Sequence, residues 1–277
     1  MTYEQIKNLG EKEFKRWCGV KPQLFEQMVV VLKQDLPQSR QGGGQPFLST
    51  EDQLLITLQY WREYRTYFHI GQSWGVHEST VCRIVHRVED RLIKSRKFSL
   101  PGKKVLSSSD REWSAIIIDV GESRIERPKK KQRNYYSGKK KRHTLKSQVV
   151  VDTIRIKVIC TADGTGKEHD FQLFKRSRVK LLSSVELLAD KGYQGIQKIH
   201  HLSYTPFKKS KKKPLTSIEK QYNRELAKQR IYVEHVIRAI KILRILSQPY
   251  RNHCRRFGLR FNLIAGKYNC GLDLALA

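Results

Sequence analysis

The stretch Ala115-Ile116-Ile117-Ile118-Asp119-Val120 places an acidic residue at the end of an apolar run. A second run of this kind, Leu187-Leu188-Ala189-Asp190, is followed by Gly192-Tyr193-Gln194-Gly195. A carboxylate at the end of a buried strand costs free energy unless a partner or a metal ion compensates its charge. The two runs therefore predict strands whose ends form a site for a positively charged group.

A third acidic residue, Glu234, lies in a basic segment with helical periodicity. Arg230, Glu234, Arg238 and Lys241 recur at i, i+4, i+8 and i+11, a spacing that predicts one shared helix face. An exposed face of ion pairs would show the same spacing, since apolar residues between them would bury the opposite side. Three cations around one acid favour phosphate binding.

Three acids from elements far apart in sequence suit a metal site. Oxygen-only ligands favour Mg²⁺ or Mn²⁺, and two such ions about 3.5–4 Å apart catalyse in-line phosphoryl displacement. Asp119, Asp190 and Glu234 are therefore the candidate catalytic and metal-binding residues. Among the competing acids, Asp152 and Asp163 are interpreted as strand-end and turn residues and Asp170 as a helix cap. Contact of His169 and Asp170 with the site stays an open alternative.

The charge balance indicates a polyanionic partner. Lys and Arg total 55 against 26 Asp and Glu, a formal net charge of +29, and the usual polyanion that neutralises such an excess is nucleic acid. Five scattered cysteines argue against a disulfide framework or a zinc site. The N-terminus shows no signal peptide and no run approaches about 18 apolar residues. We expect a soluble, cytoplasmic, nucleoid-associated bacterial protein.

Two basic runs, Lys129–Arg142 and Lys208–Lys213, flank the acids along the chain. Such runs are often solvated tails, but the first contains Tyr135 and Tyr136 and lies between predicted strands. This favours a loop that binds backbone phosphates, while stacking of the tyrosines on an unpaired base stays open. The candidate phosphate contacts are Lys139, Lys140 and Lys141.

The first half of the chain predicts three helices. One is capped by Ser49 or Thr50, a short one runs through Phe68–Gly71, and the third begins near Glu78 after a turn at Gly75. This layout is typical of a helix-turn-helix, although an ordinary three-helix bundle has the same periodicity; the charge favours the former. The residues that would face the major groove are His77, Glu78, Ser79, Thr80 and Arg83.

The predicted fold class is α/β. An all-α DNA-binding domain spans 1–100, with the helix-turn-helix at about 50–93; 101–112 form a linker, and 113–277 form a mixed-sheet domain. Strands are predicted at 114–120, 145–152, 154–159, 185–189 and 201–205, with a turn at Asp163-Gly164, a helix from Asp170 and a long helix at 216–247. Three antiparallel strands followed by parallel additions match an RNase H-like sheet.

Several motifs in this order resemble those of DDE transposases of bacterial insertion sequences, most closely insertion-sequence family five. The likeness covers roughly residues 50–265. The family's motif of Tyr, two residues, Arg, three residues, Glu, six residues, Lys is matched at Arg230, Glu234 and Lys241, whereas Ala227 stands at the tyrosine position. The stretch Asp119–Pro128 resembles the family's Asp-x-x-Glu-x-x-Ile-x-Arg-Pro. Asp190-Lys191-Gly192-Tyr193-x-Gly195 also resembles a family motif.

The resemblance implies a transposase that binds the terminal inverted repeats of its element and carries out metal-dependent strand cleavage and strand transfer. It implies two Mg²⁺ ions, with Mn²⁺ as a substitute, that Asp119 and Asp190 would bridge or share, and one of which Glu234 would hold. Joining requires two ends held together, so a homodimer on DNA is expected. Two alternatives are a helix-turn-helix DNA-binding protein with a retired catalytic domain and a structure-selective nuclease of the same fold.

Overall fold

The computed structural model describes residues 2–34, 47–108, 113–210 and 214–276. The end of the predicted linker (109–112) and the end of the second basic run (211–213) lie outside these ranges. The chain folds as two compact units. The first comprises Met1–Ser99, Lys241–Gln248 and Asn262–Ala277, and the second Leu100–Ile240 and Pro249–Phe261. Residues 241–248 and 262–277 therefore belong to the same unit as the N-terminal helices. The division into a DNA-binding domain at 1–100 and a mixed-sheet domain at 113–277 remains a prediction.

The N-terminal part of the first unit is helical. Its helices are α1 (Tyr3–Ile6), α2 (Glu11–Cys18), α3 (Pro22–Gln34), α4 (Thr50–Glu63), α5 (Tyr67–Trp74) and α6 (Glu78–Lys94). The last three begin at side chains that accept a hydrogen bond from the first turn: Ser49 Oγ from Asp52 N (3.0 Å), Thr66 Oγ1 from His69 N (3.3 Å) and His77 Nδ1 from Ser79 N (3.2 Å). Such caps satisfy N–H groups that have no partner within the helix.

Two buried polar contacts connect these three helices. The Trp61 indole of α4 donates to Glu89 of α6 at 3.0 Å, and the Trp74 indole of α5 donates to Gln59 of α4 at 2.9 Å. Gly75, with φ +64°, ends α5 in the left-handed conformation that glycine adopts readily. The predicted arrangement of helix, helix, glycine turn and helix is confirmed.

The second unit contains a six-stranded mixed sheet. Its strands are β1 (Ala115–Arg124), β2 (Tyr136–Ser137), β3 (Arg142–Asp152), β4 (Val158–Thr165), β5 (Glu186–Ala189) and β6 (Ser203–Tyr204). The remaining α-helices in the described ranges are α7 (Gln132–Tyr135), α8 (Asp170–Ser177), α9 (Ser217–Lys241), α10 (Arg244–Ser247) and α11 (Phe257–Leu276). None of the described helices has the length and apolarity needed to cross a bilayer.

Strand β1 is central, which confirms the predicted α/β order. The sheet order is β2-β3-β1-β5-β6, with β4 also paired to β3. Strand β1 runs antiparallel to β3 and parallel to β5, and Ile118 is in register with Ala189. Because the next residue in each strand is an aspartate, this register brings Asp119 beside Asp190 at the point where β5 ends. Strand β1 continues past the predicted end at Val120 to Arg124.

The predictions for the third strand and its turn were wrong. Strand β4 begins at Val158, and the preceding residues form the turn, where Asp152 accepts hydrogen bonds from the backbone N–H groups of Ile154 (3.1 Å) and Arg155 (3.2 Å). This local bonding outweighs the apolar alternation, and Ile154 is 70% exposed. Asp163, predicted in a turn, instead pairs with Ser147 inside the sheet.

The predicted helix 216–247 is also shorter than expected. Helix α9 ends at Lys241, and Leu243 is extended (ψ 116°) before the short helix α10. Leu243, Ile245 and Leu246 are all buried. No Pro or Gly lies at this break. The helix therefore ends because these side chains are buried in the core, which the local sequence pattern does not predict.

Candidate active site

Asp119 and Asp190 meet at one rim of the sheet. Asp119 lies on β1, and Asp190 directly follows β5 and precedes a single 3-10 turn, Lys191–Tyr193. Asp119 Oδ1 accepts a hydrogen bond from the N–H of Val120 at 2.8 Å. The structure thus places Asp119 on β1 and Asp190 directly after the neighbouring strand β5, as the register requires.

Two glycines explain the spacing of the motif that follows Asp190. A Cβ atom on Gly192 would lie 2.8 Å from Oδ2 of Asp170, so a larger residue would push against that carboxylate. Gly195 has φ +87°, a conformation that side chains other than glycine rarely adopt. Both positions therefore fix the backbone that leads away from Asp190.

The side chain of Arg230 connects the two aspartates. Its Nη1 donates to Asp190 Oδ1 at 3.1 Å, and its Nη2 lies 3.8 Å from Asp119 Oδ1. The Arg230 side chain is only 9% exposed and belongs to the buried stripe of α9. A charge is tolerated at such a position because two carboxylates compensate it.

Helix α9 is continuous through all four predicted positions, but the residues on this side of it differ in burial. Glu234 and Arg238 are exposed, and Lys241, the last residue of the helix, is partly exposed, whereas Arg230 turns inward. The ion pairs of Arg230 are made with residues of the sheet rim. An exposed row of intrahelical ion pairs therefore does not describe its role.

The acids at the rim lie close enough to repel one another, and Asp119 is largely buried. Burial raises the pKa of Asp119 to about 6, against the opposing effects of Arg230 and the Val120 N–H, and repulsion from Asp190 and Glu234 adds to the rise. Burial, together with the Asp119 charge, also raises the pKa of Tyr193. Within the described structure, the Tyr193 hydroxyl and Arg230 Nε have no hydrogen-bond partner.

The oxygen ligands at this rim are of the kind that divalent cations such as Mg²⁺ prefer. Asp119 and Asp190 offer hard oxygen ligands that converge on a single positive group, and Glu234 acts electrostatically on Asp119 from the neighbouring helix. Among the residues that the structure describes, no three His, Cys, Asp or Glu side chains are already arranged to hold a metal ion. In the described arrangement, the cation between the aspartates is the Arg230 guanidinium.

The competing acids have their own partners. Asp163 accepts a hydrogen bond from Ser147 at 3.0 Å. Asp170 is the first residue of α8, where the predicted cap position is taken by His169, and its carboxylate pairs with Lys146 at 2.8 Å. Asp170 also lies against Gly192, so it touches the loop after Asp190. Sequence reasoning missed the Lys146 pair, because nothing in the spacing of the two residues signals it.

An acid with a raised pKa gives a prediction about stability. The folded state holds the Asp119 proton more tightly than the unfolded state, so this residue's contribution to stability is present at low pH and lost as pH rises from about 4 to about 6. We expect metal-free Asp119→Asn to exceed the wild type in unfolding free energy by about 1–3 kcal/mol at pH 7.5. The difference should vanish near pH 4. Denaturant unfolding in EDTA at both pH values measures it, and an equal difference at both would contradict the prediction.

The predicted base-reading residues lie at the start of α6. His77, Glu78, Ser79 and Arg83 are exposed and Thr80 is partly exposed. Arg83 bonds back to its own helix, with Nε donating to Ser79 O at 3.2 Å. Sequence reasoning missed the continuation of this basic surface. It consists of the spaced cations Arg87, Arg91 and Lys94.

Arg83→Ala is expected to weaken binding to duplex DNA that carries the recognised sequence. If Arg83 reads a guanine, the loss is about 1–3 kcal/mol and selective for the specific sequence. Lys12→Ala, which removes the same charge from the exposed face of α2, is the matched control. Fluorescence anisotropy on specific and random duplexes separates the outcomes: a uniform loss would make Arg83 a phosphate contact, and no loss would contradict its assignment.

The predicted phosphate-binding lysines lie on an exposed turn. Lys139, Lys140 and Lys141 connect β2 to β3, and the turn is closed by the Lys141 N–H, which donates to Ser137 O at 2.8 Å. Tyr136 is 44% exposed. The lysines therefore extend from a short, hydrogen-bonded hairpin.

Comparison with known proteins assigns the chain to a family. Residues 118–264 match the family described as "DDE superfamily endonuclease", and residues 46–98 match "Helix-turn-helix of DDE superfamily endonuclease". The chain is 53% identical over 274 residues to a protein of Microchaete diplosiphon described as a probable transposase for insertion sequence element IS702, covering 99% of each chain.

A second relative is more distant. It is a protein of Streptomyces albus G, named "Putative transposase for insertion sequence element IS112", which is 24% identical over 233 residues, covering 83% of this chain and 84% of that protein. No solved structure gives a significant match. The narrower likeness to insertion-sequence family five stays a prediction. The whole-length identity and the matched endonuclease region show that the chain belongs to the DDE superfamily of transposase endonucleases.

Proposed function

We propose that this transposase binds the terminal inverted repeats of its insertion sequence through the helix-turn-helix, and cuts and joins DNA at Asp119, Asp190 and Glu234. The observation that carries the proposal is the convergence of Asp119 and Asp190 on one buried guanidinium. All three acids lie inside the matched endonuclease region. The relatives are described as transposases for insertion sequence elements, which supports the same substrate here.

DDE endonuclease domains typically use divalent metal ions. The proposed cofactor is a pair of Mg²⁺ ions, with Mn²⁺ as a substitute. Asp119 and Asp190 would share the two ions, and Glu234 would hold one of them. When bound, such ions supply Lewis acidity that activates the attacking hydroxyl and stabilises the leaving 3′-oxygen.

The cations around the rim would bind the substrate. Lys139, Lys140 and Lys141 on the exposed turn would hold backbone phosphates, which fixes the register of the strand without reading its sequence. On α9, Arg238 and Lys241 would contact phosphates near the cut. Arg230, predicted as a third contact, is buried against the two aspartates and would reach a phosphate only after leaving them. Since a freed 3′-hydroxyl must attack a second DNA, these contacts would have to hold the cut end in place.

The joining of DNA strands also determines the oligomeric state that we propose. Two element ends must be held together for paired insertion, and a homodimer on DNA provides one helix-turn-helix and one set of acids for each end. A location on nucleoid DNA in the bacterial cytoplasm follows from the same substrate.

The test is incubation of the protein with labelled duplexes that carry the inverted repeats flanking its coding region, with Mg²⁺ and a target plasmid. The proposal expects metal-dependent cleavage at the end of the repeat, followed by joined product. A shuffled repeat and an EDTA sample serve as controls. Cleavage without joining would favour the structure-selective nuclease, and specific binding without cleavage would favour a retired catalytic domain.

A further inference from the structure

The guanidinium of Arg230 is shared by two acids proposed as metal ligands. Nη1 lies 3.1 Å from Asp190 Oδ1 and Nη2 lies 3.8 Å from Asp119 Oδ1. The side chain is nine-tenths buried, and in the described structure its Nε has no hydrogen-bond partner. Arg230 thus reaches the rim from α9 and directs its terminal nitrogens at the two carboxylates.

The buried guanidinium needs a carboxylate partner, and Asp190 is the nearer of its two. A buried ion left without its partner is strongly destabilising, whereas the intact cluster compensates each charge. The planar guanidinium can address two carboxylates at once, which an ammonium group cannot do with the same geometry. Without Arg230, two negative charges would face each other at the sheet rim.

We infer that Arg230 is the resident counter-cation of the metal-free site, and that a divalent cation binding to Asp119 and Asp190 displaces its guanidinium from them. This inference rests on the proposed metal site. The guanidinium and the metal ion would compensate the same pair of charges, so they compete for the same oxygens. Arg230 is therefore a positioning residue: it keeps the two aspartates together before the metal arrives.

The inference predicts the direction in which the loss of Arg230 changes the metal affinity. If the guanidinium must leave, part of the metal's binding energy is used to break the existing ion pairs, and the apparent affinity is lowered. Removing Arg230 should then tighten metal binding while weakening the metal-free fold. If Arg230 instead stays in place and supports the loaded ligands, removing it should weaken metal binding.

The experiment compares Arg230→Gln with the wild type and with Arg224→Gln, which removes an exposed arginine from the same helix. Mn²⁺ binding to the full-length, metal-stripped protein is measured by isothermal titration calorimetry without DNA. We expect Arg230→Gln to bind Mn²⁺ about tenfold more tightly. Its melting temperature in EDTA should fall by several degrees, and its gain on adding Mn²⁺ should exceed that of the wild type. Arg224→Gln should match the wild type in both.

Arg230→Lys is the second variant, because it keeps one positive charge and protects the fold if the glutamine variant does not fold. It should bind Mn²⁺ more tightly than the wild type, since a lysine cannot span both acids. Affinity equal to or weaker than that of the wild type in the folded variant would overturn the inference. Failure of the proposed metal site would give a different result. In that case Asp119→Asn and Asp190→Asn would each bind Mn²⁺ with the same affinity as the wild type.

Discussion

Replacement of Asp119 by Asn, Asp190 by Asn or Glu234 by Gln, one at a time, is expected to reduce Mg²⁺-dependent cleavage of element ends to below about 1% of the wild-type rate. The amides keep the shape of each side chain but remove the charge that holds a cation, and charge stabilisation by a bound metal accounts for several kcal/mol of the barrier. Gel-based cleavage of end-labelled duplexes measures the rate.

Binding to the same ends should be unchanged within about twofold, because the helix-turn-helix belongs to the first compact unit and the three acids to the second. Glu225→Gln is the matched control for Glu234→Gln, since it removes an exposed acid from the same helix. It should cleave at the wild-type rate. Any of the three variants that keeps more than a few per cent of the cleavage rate removes that residue from the site.

Elements whose local chemistry agrees with their packing could be predicted from the sequence. The three helices of the helix-turn-helix carry both caps and an apolar stripe. Strands β1 and β5 each contain an apolar run that is followed by an aspartate, although β1 continues beyond Asp119 to Arg124. The strand order then follows from the order of the elements, and the meeting of Asp119 and Asp190 follows from the pairing of Ile118 with Ala189.

What the sequence concealed depends on contacts between distant residues. The spacing of Arg230, Glu234 and Arg238 predicts a shared face, but it cannot show that one of the three turns inward to neutralise two aspartates about 40 and 110 residues away. The turn after Asp152 was missed for a different reason. Alternating apolar residues indicate a strand, and the side-chain bonds of an aspartate at its start override that pattern.

Replacement of Lys139, Lys140 and Lys141 together by Gln is expected to weaken binding to specific and random DNA alike and to flatten its salt dependence. Removing one lysine–phosphate ion pair lowers the slope of log K against log salt by about 0.9 for duplex DNA, so removing three lowers it by up to about 2.7. The weakening is uniform across sequences because phosphates carry no sequence information. Anisotropy titrations between 50 and 300 mM salt, roughly the range in which such ion pairs dominate, measure the slope.

The control is a variant with Lys12, Lys15 and Arg16 replaced by Gln, which removes the same number of positive charges from the exposed face of α2. Both variants change the net charge equally, so a general decrease in attraction to DNA would affect them alike. A local phosphate contact instead flattens the slope only in the hairpin variant, and cleavage should fall with affinity there because the hairpin strand β3 pairs with the strand that carries Asp119. An unchanged slope with full cleavage would mean that the three lysines form only a solvated, charged turn.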